Sequence, residues 1–195
     1  MPRAFTSAES EDIRARLKEA ALVSFGRRGL RGTTVGELAE AAAISKGAFY
    51  RFYDSKEDLF LALLDDSERT MHAELEQAVR ADPVGAVDYL VDSAVHALTR
   101  HPLLATLLSE EGMRLLRTVP AERRTRLLDR DVRLVDRLMQ VMAEAGTDPG
   151  VPQRVFVGLL RSLVFVGLHR EEIGRELLEE ATGWLKQQLR AGLQR

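Results

Sequence analysis

The chain has 195 residues, 45% of them hydrophobic and 30% charged, with a net charge of -2. That is the balance of a globular protein long enough for one large domain or for a small one joined to a larger. Cysteine is absent, which excludes disulfides and thiol catalysis. The start Met1 to Phe5 lacks the apolar core of a signal peptide, and the apolar run 155–168 is interrupted by Arg161 and Ser162. The expectation is therefore a cytoplasmic protein with no membrane partner. Overall charge does not mark a nucleic-acid binder. Residues 1–60 carry a net +1 and the remainder a net -3, so any argument for DNA must rest on where individual cations are placed.

Residues 1–9 are polar and are expected to fray. Ile13, Leu17, Ala20, Ala21 and Phe25 then recur at three- and four-residue steps, which predicts a helix. Ser10 is its expected cap, with Glu11 and Asp12 in the first turn and Gly29 as its stop. Thr34 and Glu37 have the spacing of a capping box for a short second helix ending near Ala41. Ser45 is expected to cap a third helix ending near Tyr53, and Asp54 or Ser55 a fourth. The fourth is long: Leu59, Phe60, Leu63, Leu64, Met71, Leu75 and Val79 carry its apolar spacing toward Ala81. Prolines and glycines then separate helices near 83–100, 102–117, 120–145, 152–168 and 171–193. No run alternates as a strand. The expected fold is all-α with about nine helices. A three-helix helix-turn-helix unit (1–60) is joined through the long helix to a helical bundle (61–195).

The third helix carries the most specific pattern. On a wheel at about 100° per residue, Phe49 marks the inward side, shared with Ser45, Phe52 and Tyr53. Gly47, Ala48, Tyr50 and Arg51 face outward. Small residues at the N-terminal end let a backbone approach a groove floor. Arg51 has the reach and fork to meet a guanine edge or a phosphate, and Tyr50 offers a hydroxyl to the groove wall. Lys46 and Lys56, at the starts of the third and fourth helices, suit phosphate oxygens. The plain alternative is a three-helix core with an ordinary solvated face. Against it stand the compact apolar turn 41–44, two small residues where better helix formers were available, and the crowding of aromatics into one short stretch.

Residues 10–60 resemble the N-terminal domain of the tetracycline-repressor (TetR) family of bacterial transcriptional regulators. The matching residues are Phe25-Gly26, Gly29, Thr33-Thr34-Val35, Leu38-Ala39, Ile44 to Gly47, Phe49-Tyr50 and Ser55 to Leu59. The resemblance implies a repressor that binds a palindromic double-stranded operator as a homodimer. It places Thr33, Thr34, Ser45, Lys46, Gly47, Ala48, Tyr50 and Lys56 at the DNA; Arg51 is added from the wheel. Position 52 in this family is often His or Tyr, able to bond a phosphate. Phe52 cannot do so, which leaves Tyr53 as the substitute donor.

Helix 152–168 is apolar almost all round, so it must be covered on more than one side. Either it is the central helix of a monomer or one side meets a second subunit, with Gly158, Ser162, Phe165 and Gly167 at the seam. The resemblance implies the second, and also a small-molecule effector inside the bundle. Met71, Leu75, Leu103, Leu107, Met113, Phe156 and Trp184 are the candidate lining for an apolar or amphipathic ligand, if they are not simply core. The four histidines share no ligand-like spacing, so no metal or cofactor is expected. Glu-x-x-His pairs, a glycine-rich phosphate loop and a Ser-His-Asp arrangement are all missing, so no enzyme is expected either. The competing reading is a helical partner- or ligand-binding module that has lost DNA binding.

Overall fold

The computed structural model describes residues 5–147 and 149–192, with backbone alone at 126–128 and 192. Of residues 1–9, expected to fray, the first four lie outside the described residues, as does the helix end expected at 193, whereas Ser7 to Glu9 form the first turn of a helix. The chain is all-α. Twelve helical segments occur among the described residues: α1 Ser7–Arg28, α2 Val35–Ala41, α3 Lys46–Phe49, α4 Lys56–Ala81, α5 Ala86–Val95, α6 Ala97–Arg100, α7 Pro102–Leu108, α8 Glu110–Thr118, α9 Ala121–Glu144, α10 Gln153–Leu168, α11 Arg170–Ile173 and α12 Arg175–Gly192.

The excess over nine comes from three places where one expected helix is divided. The chain breaks at His96, whose Nδ1 bonds the Asp92 carbonyl at 2.8 Å. It breaks at Ser109, whose Oγ accepts the Gly112 N–H at 3.2 Å in the manner of a cap. Gly112 has no room for a side chain, since a Cβ there would lie 2.3 Å from the Leu107 carbonyl oxygen. The third break is Gly174, at φ +93°, a conformation open to glycine at little cost.

The chain divides into two compact units, the first running to Glu68 and including Pro102–Thr118, the second comprising Arg69–His101 and the chain from Val119 onward. In the first unit, Ile13, Leu17, Ala21 and Phe25 form one buried face of α1 and meet Leu38 and Ala39 of α2, Phe49, and Leu59, Phe60 and Leu63 of α4. Phe25 and Phe60 pack edge to face with centroids 5.4 Å apart. Leu103 of α7 completes this core, with Leu107 and Leu115 packed against it. The start of α1 differs from the expectation. Thr6, not Ser10, is the cap: its Oγ accepts the Glu9 N–H at 3.2 Å while Glu9 accepts the Thr6 N–H at 2.8 Å. Two reciprocal bonds outweigh the single bond Ser10 offers one turn later.

In the second unit α10 is the central element. Phe156, Val157 and Leu163 are buried against α5 (Val87, Leu90, Val91), α9 (Leu134, Leu138, Met142) and Leu178 of α12. Gly167 lets α10 cross α5 at close range: a Cβ there would stand 2.2 Å from the Val95 carbonyl oxygen. Among the described residues no helix is long and apolar enough to cross a membrane.

Candidate nucleic-acid interface

The site is built on α2, a tight turn and α3. Thr34 caps α2 through the expected box, accepting the Glu37 N–H at 3.3 Å while Glu37 accepts the Thr34 N–H at 2.8 Å. Arg28 at the end of α1 also donates to Glu37. With the Thr34 bonds, that guanidinium lowers the Glu37 carboxyl to about 2. The turn needs one non-glycine residue in the left-handed region, Ala43 at φ 54°. It is closed by the Ile44 N–H on the Ala39 carbonyl at 2.9 Å. Ser45 caps α3, its Oγ accepting the Ala48 N–H at 3.1 Å. The helix is shorter than the expected run to Tyr53. After Phe49 the N–H groups of Arg51 and Phe52 turn to carbonyls three residues back, at 3.1 and 2.9 Å, the tightening usual at a helix end.

Phe49 and Tyr53 lie inward as the wheel predicts, but Ser45, which it places beside them, is exposed because its side chain caps the helix end. Phe49 is wholly buried, while Thr34, Ser45, Lys46, Gly47, Tyr50 and Arg51 are exposed and Ala48 is half-buried. The Tyr50 ring packs edge to face on Phe49 with centroids 5.5 Å apart, which fixes its base and leaves the residue half exposed. Arg51 lies over the ring of Phe5, 4.7 Å from its centroid.

Three residues predicted at the DNA are occupied inside the protein. Thr33 is buried and its hydroxyl donates to the Gly29 carbonyl at 3.0 Å. Tyr53 is buried, 6.0 Å from Phe49 between ring centroids. Lys56 Nζ donates to the Leu30 and Thr33 carbonyls at 2.6 and 2.8 Å. Those two carbonyls lie in the link between α1 and α2, so the ammonium ties α4 to the entrance of the helix-turn-helix. Sequence reading missed Phe5, Arg14 and this use of Lys56. Nothing in their spacing signals them, because each acts on a partner far away in the chain.

Residues 17–63 match the sequence model of bacterial regulatory proteins of the tetR family. That segment holds the helix-turn-helix described above. The HTH-type transcriptional regulator TtgR of Pseudomonas putida is 36% identical over 90 residues, 44% of this chain and 42% of TtgR. The chain thus spans about half the length of the curated relatives it matches. Among solved structures, a TetR-family regulator of Pectobacterium atrosepticum superposes with a TM-score of 0.65 at 22% identity, covering 96% of this chain and 97% of that one. AibR, solved with isovaleryl coenzyme A and operator DNA, gives 0.57 at 19% identity over 89% of this chain and 97% of its own. At those identities the structures share its fold.

The residues predicted at the seam of helix 152–168 separate. Gly158, Ser162 and Phe165 are exposed along one stripe of α10 together with Val155, whereas Gly167 is buried against α5. A second exposed apolar stripe, Leu177, Ala181 and Trp184, runs along α12. The expected ligand lining is not borne out as one set. Leu103 and Leu107 belong to the core of the first unit, and Met113 and Trp184 are exposed. Phe156 and Leu75 pack in the core of the second unit, and Met71 is half-buried. Large apolar residues at helical spacing were serving packing and surface in turn. Inside the second unit, a cleft of about 360 Å³ is bounded by polar groups including His96, Arg170, Arg175, Glu179 and Lys186. A further polar cluster joins α4, α9 and α10: Asp131 meets His72 Nε2 at 3.2 Å and accepts two bonds from Arg161 at 3.1 and 2.6 Å. Burial raises the Asp131 carboxyl, but the bonds from His72 and Arg161 more than reverse this and hold it below the ordinary range.

Proposed function

We propose that this protein is a cytoplasmic transcriptional regulator, a repressor whose two copies bind a palindromic operator and are released by a small molecule. The observation that carries the reading is the outward face of α3. Lys46, Gly47, Tyr50 and Arg51 stand exposed on a capped helix-turn-helix inside the tetR-family segment, while the opposite face is fixed in the core by Phe49. In this reading residues 1–60 engage DNA and residues 61–195 hold the effector and the second copy. The exposed stripes of α10 and α12 form the self-complementary interface that a two-fold axis requires. Lys46, Ser45 and Thr34 meet phosphates, Gly47 and Ala48 allow close approach, and Arg51 and Tyr50 reach the groove. Thr33, Lys56 and Tyr53 support that surface from behind.

The effector acts by preferring the arrangement whose heads misfit the operator. Coenzyme A thioesters are one class to try, since AibR was solved with isovaleryl coenzyme A. The protein works by binding rather than by catalysis. The test is selection of genomic fragments by purified protein at about 150 mM salt, where surface electrostatics are screened as in cells. The expected result is an enriched inverted repeat with half-sites about one helical turn or more apart. Retention without sequence preference contradicts the operator, and no retention contradicts DNA binding.

A further inference from the structure

Phe5 precedes the cap of α1, and its direction is fixed by the reciprocal Thr6–Glu9 bonds that follow it. A hydrophobic residue in that place often packs on the fourth residue of its own helix. Here that residue is Ser10, which offers no apolar surface. Phe5 packs instead on Phe52, with ring centroids 5.7 Å apart. Phe52 is held in turn by Arg14, whose guanidinium carbon lies 5.4 Å from the ring and whose Nη1 donates to the Phe52 carbonyl at 3.3 Å. The outcome is an aromatic platform at the C-terminal end of α3, and the Arg51 guanidinium carbon lies over it, 4.7 Å from the Phe5 centroid. Among the described residues Arg51 has no carboxylate partner.

We propose that Phe5 is a positioning residue for Arg51, holding it in the pose from which it contacts DNA. This rests on the DNA-reading function argued above. A guanidinium lying on a ring gives up a face and keeps its in-plane N–H donors, so the contact restrains the side chain without consuming what a phosphate or a guanine edge needs. An unrestrained arginine pays rotamer entropy on binding; the platform removes part of that cost. It also gives Phe52, which has no hydroxyl for a phosphate, a different task at the same place.

The test is a double-mutant cycle on the selected operator, with Phe5→Leu, Phe5→Tyr, Arg51→Ala and the Phe5→Leu/Arg51→Ala pair. A cation over a partly exposed ring is worth roughly two- to fivefold in affinity for each copy, hence about five- to thirtyfold for the two copies on one operator. Phe5→Leu is expected to lose that much and to weaken preference at the base Arg51 reads. Phe5→Tyr, which keeps the ring, is expected to bind as wild type, and Phe5→Leu to cost nothing further once Arg51 is Ala. In the uncomplexed protein, the Arg51 Nε–H NMR resonance is expected to carry a ring-current shift that Phe5→Leu abolishes. If wild type enriches no sequence, the DNA-reading function and this role fall together. If wild type binds its operator while Phe5→Leu binds equally well, or loses as much in the Arg51→Ala background, the positioning role alone is overturned. Absence of the ring-current shift overturns it as well, whatever DNA does.

Discussion

The outward face of α3 and the outward stripes of α10 and α12 are both left uncovered by the chain's own packing, and they are opposite in chemistry. The first presents Lys46, Tyr50 and Arg51 beside small residues. The second presents Val155, Phe165, Leu177 and Trp184, each about half exposed or more. A polar, cationic face on a short helix gains from neutralising phosphates, and that gain falls steeply with salt. An apolar stripe gains from excluding water, which salt does not weaken. If both are docking surfaces, as proposed, they answer to different solvents, and raising salt separates them.

The largest effect expected is loss of the apolar contact. Replacing both Phe165 and Trp184 by Glu places charges where the proposed second copy must pack, and interface anchors of this kind cost about 2 kcal/mol or more each. Sedimentation is expected to show a monomer with an unchanged helical spectrum and no operator binding at micromolar protein. A dimer that persists breaks the comparison by showing that these stripes are not the seam.

Next is Lys56, whose bonds to the Leu30 and Thr33 carbonyls make it part of the frame rather than of the face. Lys56→Met leaves two carbonyls without their charged donor, and such bonds are worth about 1.5–3 kcal/mol. The melting temperature is expected to fall while the slope of log affinity against log salt stays as in wild type. Lys46→Ala is expected to do the reverse, reducing that slope by about 2, one contact for each copy in the dimer, with no change in melting. A reduced slope for Lys56→Met would return it to the phosphates.

Arg51→Ala is expected to relax preference at one base position per half-site, at about 1–3 kcal/mol if the contact is bidentate. Affinities for a panel of single-base operator variants measure this. A uniform loss across the panel would assign Arg51 to the backbone.

The smallest effect concerns pH. The Glu37 carboxyl is held at about 2 in the folded protein, below its unfolded value, so its contribution is complete above about pH 4.5. It is lost as pH falls toward 2. Asp131, also lowered, adds in the same direction. Thermal melts between pH 5 and 2 are expected to show a shallower decline for Glu37→Gln than for wild type. Parallel declines would contradict the assignment.

The two regions also differ in how far their sequence disclosed them. The helix-turn-helix was legible because its signals are local. The Thr34–Glu37 box, the Ser45 cap and the Gly29 stop each act within one helical turn, and the buried face of α1 repeats every four residues. The bundle was less legible because its breaks depend on close approach. Gly112 and Gly167 are ordinary helical residues until the carbonyls of Leu107 and Val95 are seen beside them. The same holds at single positions of the site. Lys56 and Tyr53 lie in the right segment with suitable chemistry, yet their partners (Leu30, Thr33 and Phe49) decide that they face inward. Trp184 shows the converse, since its size suggests a core and its place on α12 makes it a surface.

The most direct measurement is parallel selection from one DNA pool by wild type and by the Lys46→Ala/Tyr50→Ala/Arg51→Ala variant, with melting and oligomeric state checked on both. All three side chains are exposed and the variant keeps the core, so the account predicts an unchanged dimer that no longer enriches the inverted repeat wild type selects. If the variant enriches the same sequence, or wild type enriches none, the outward face of α3 is not a DNA-reading surface.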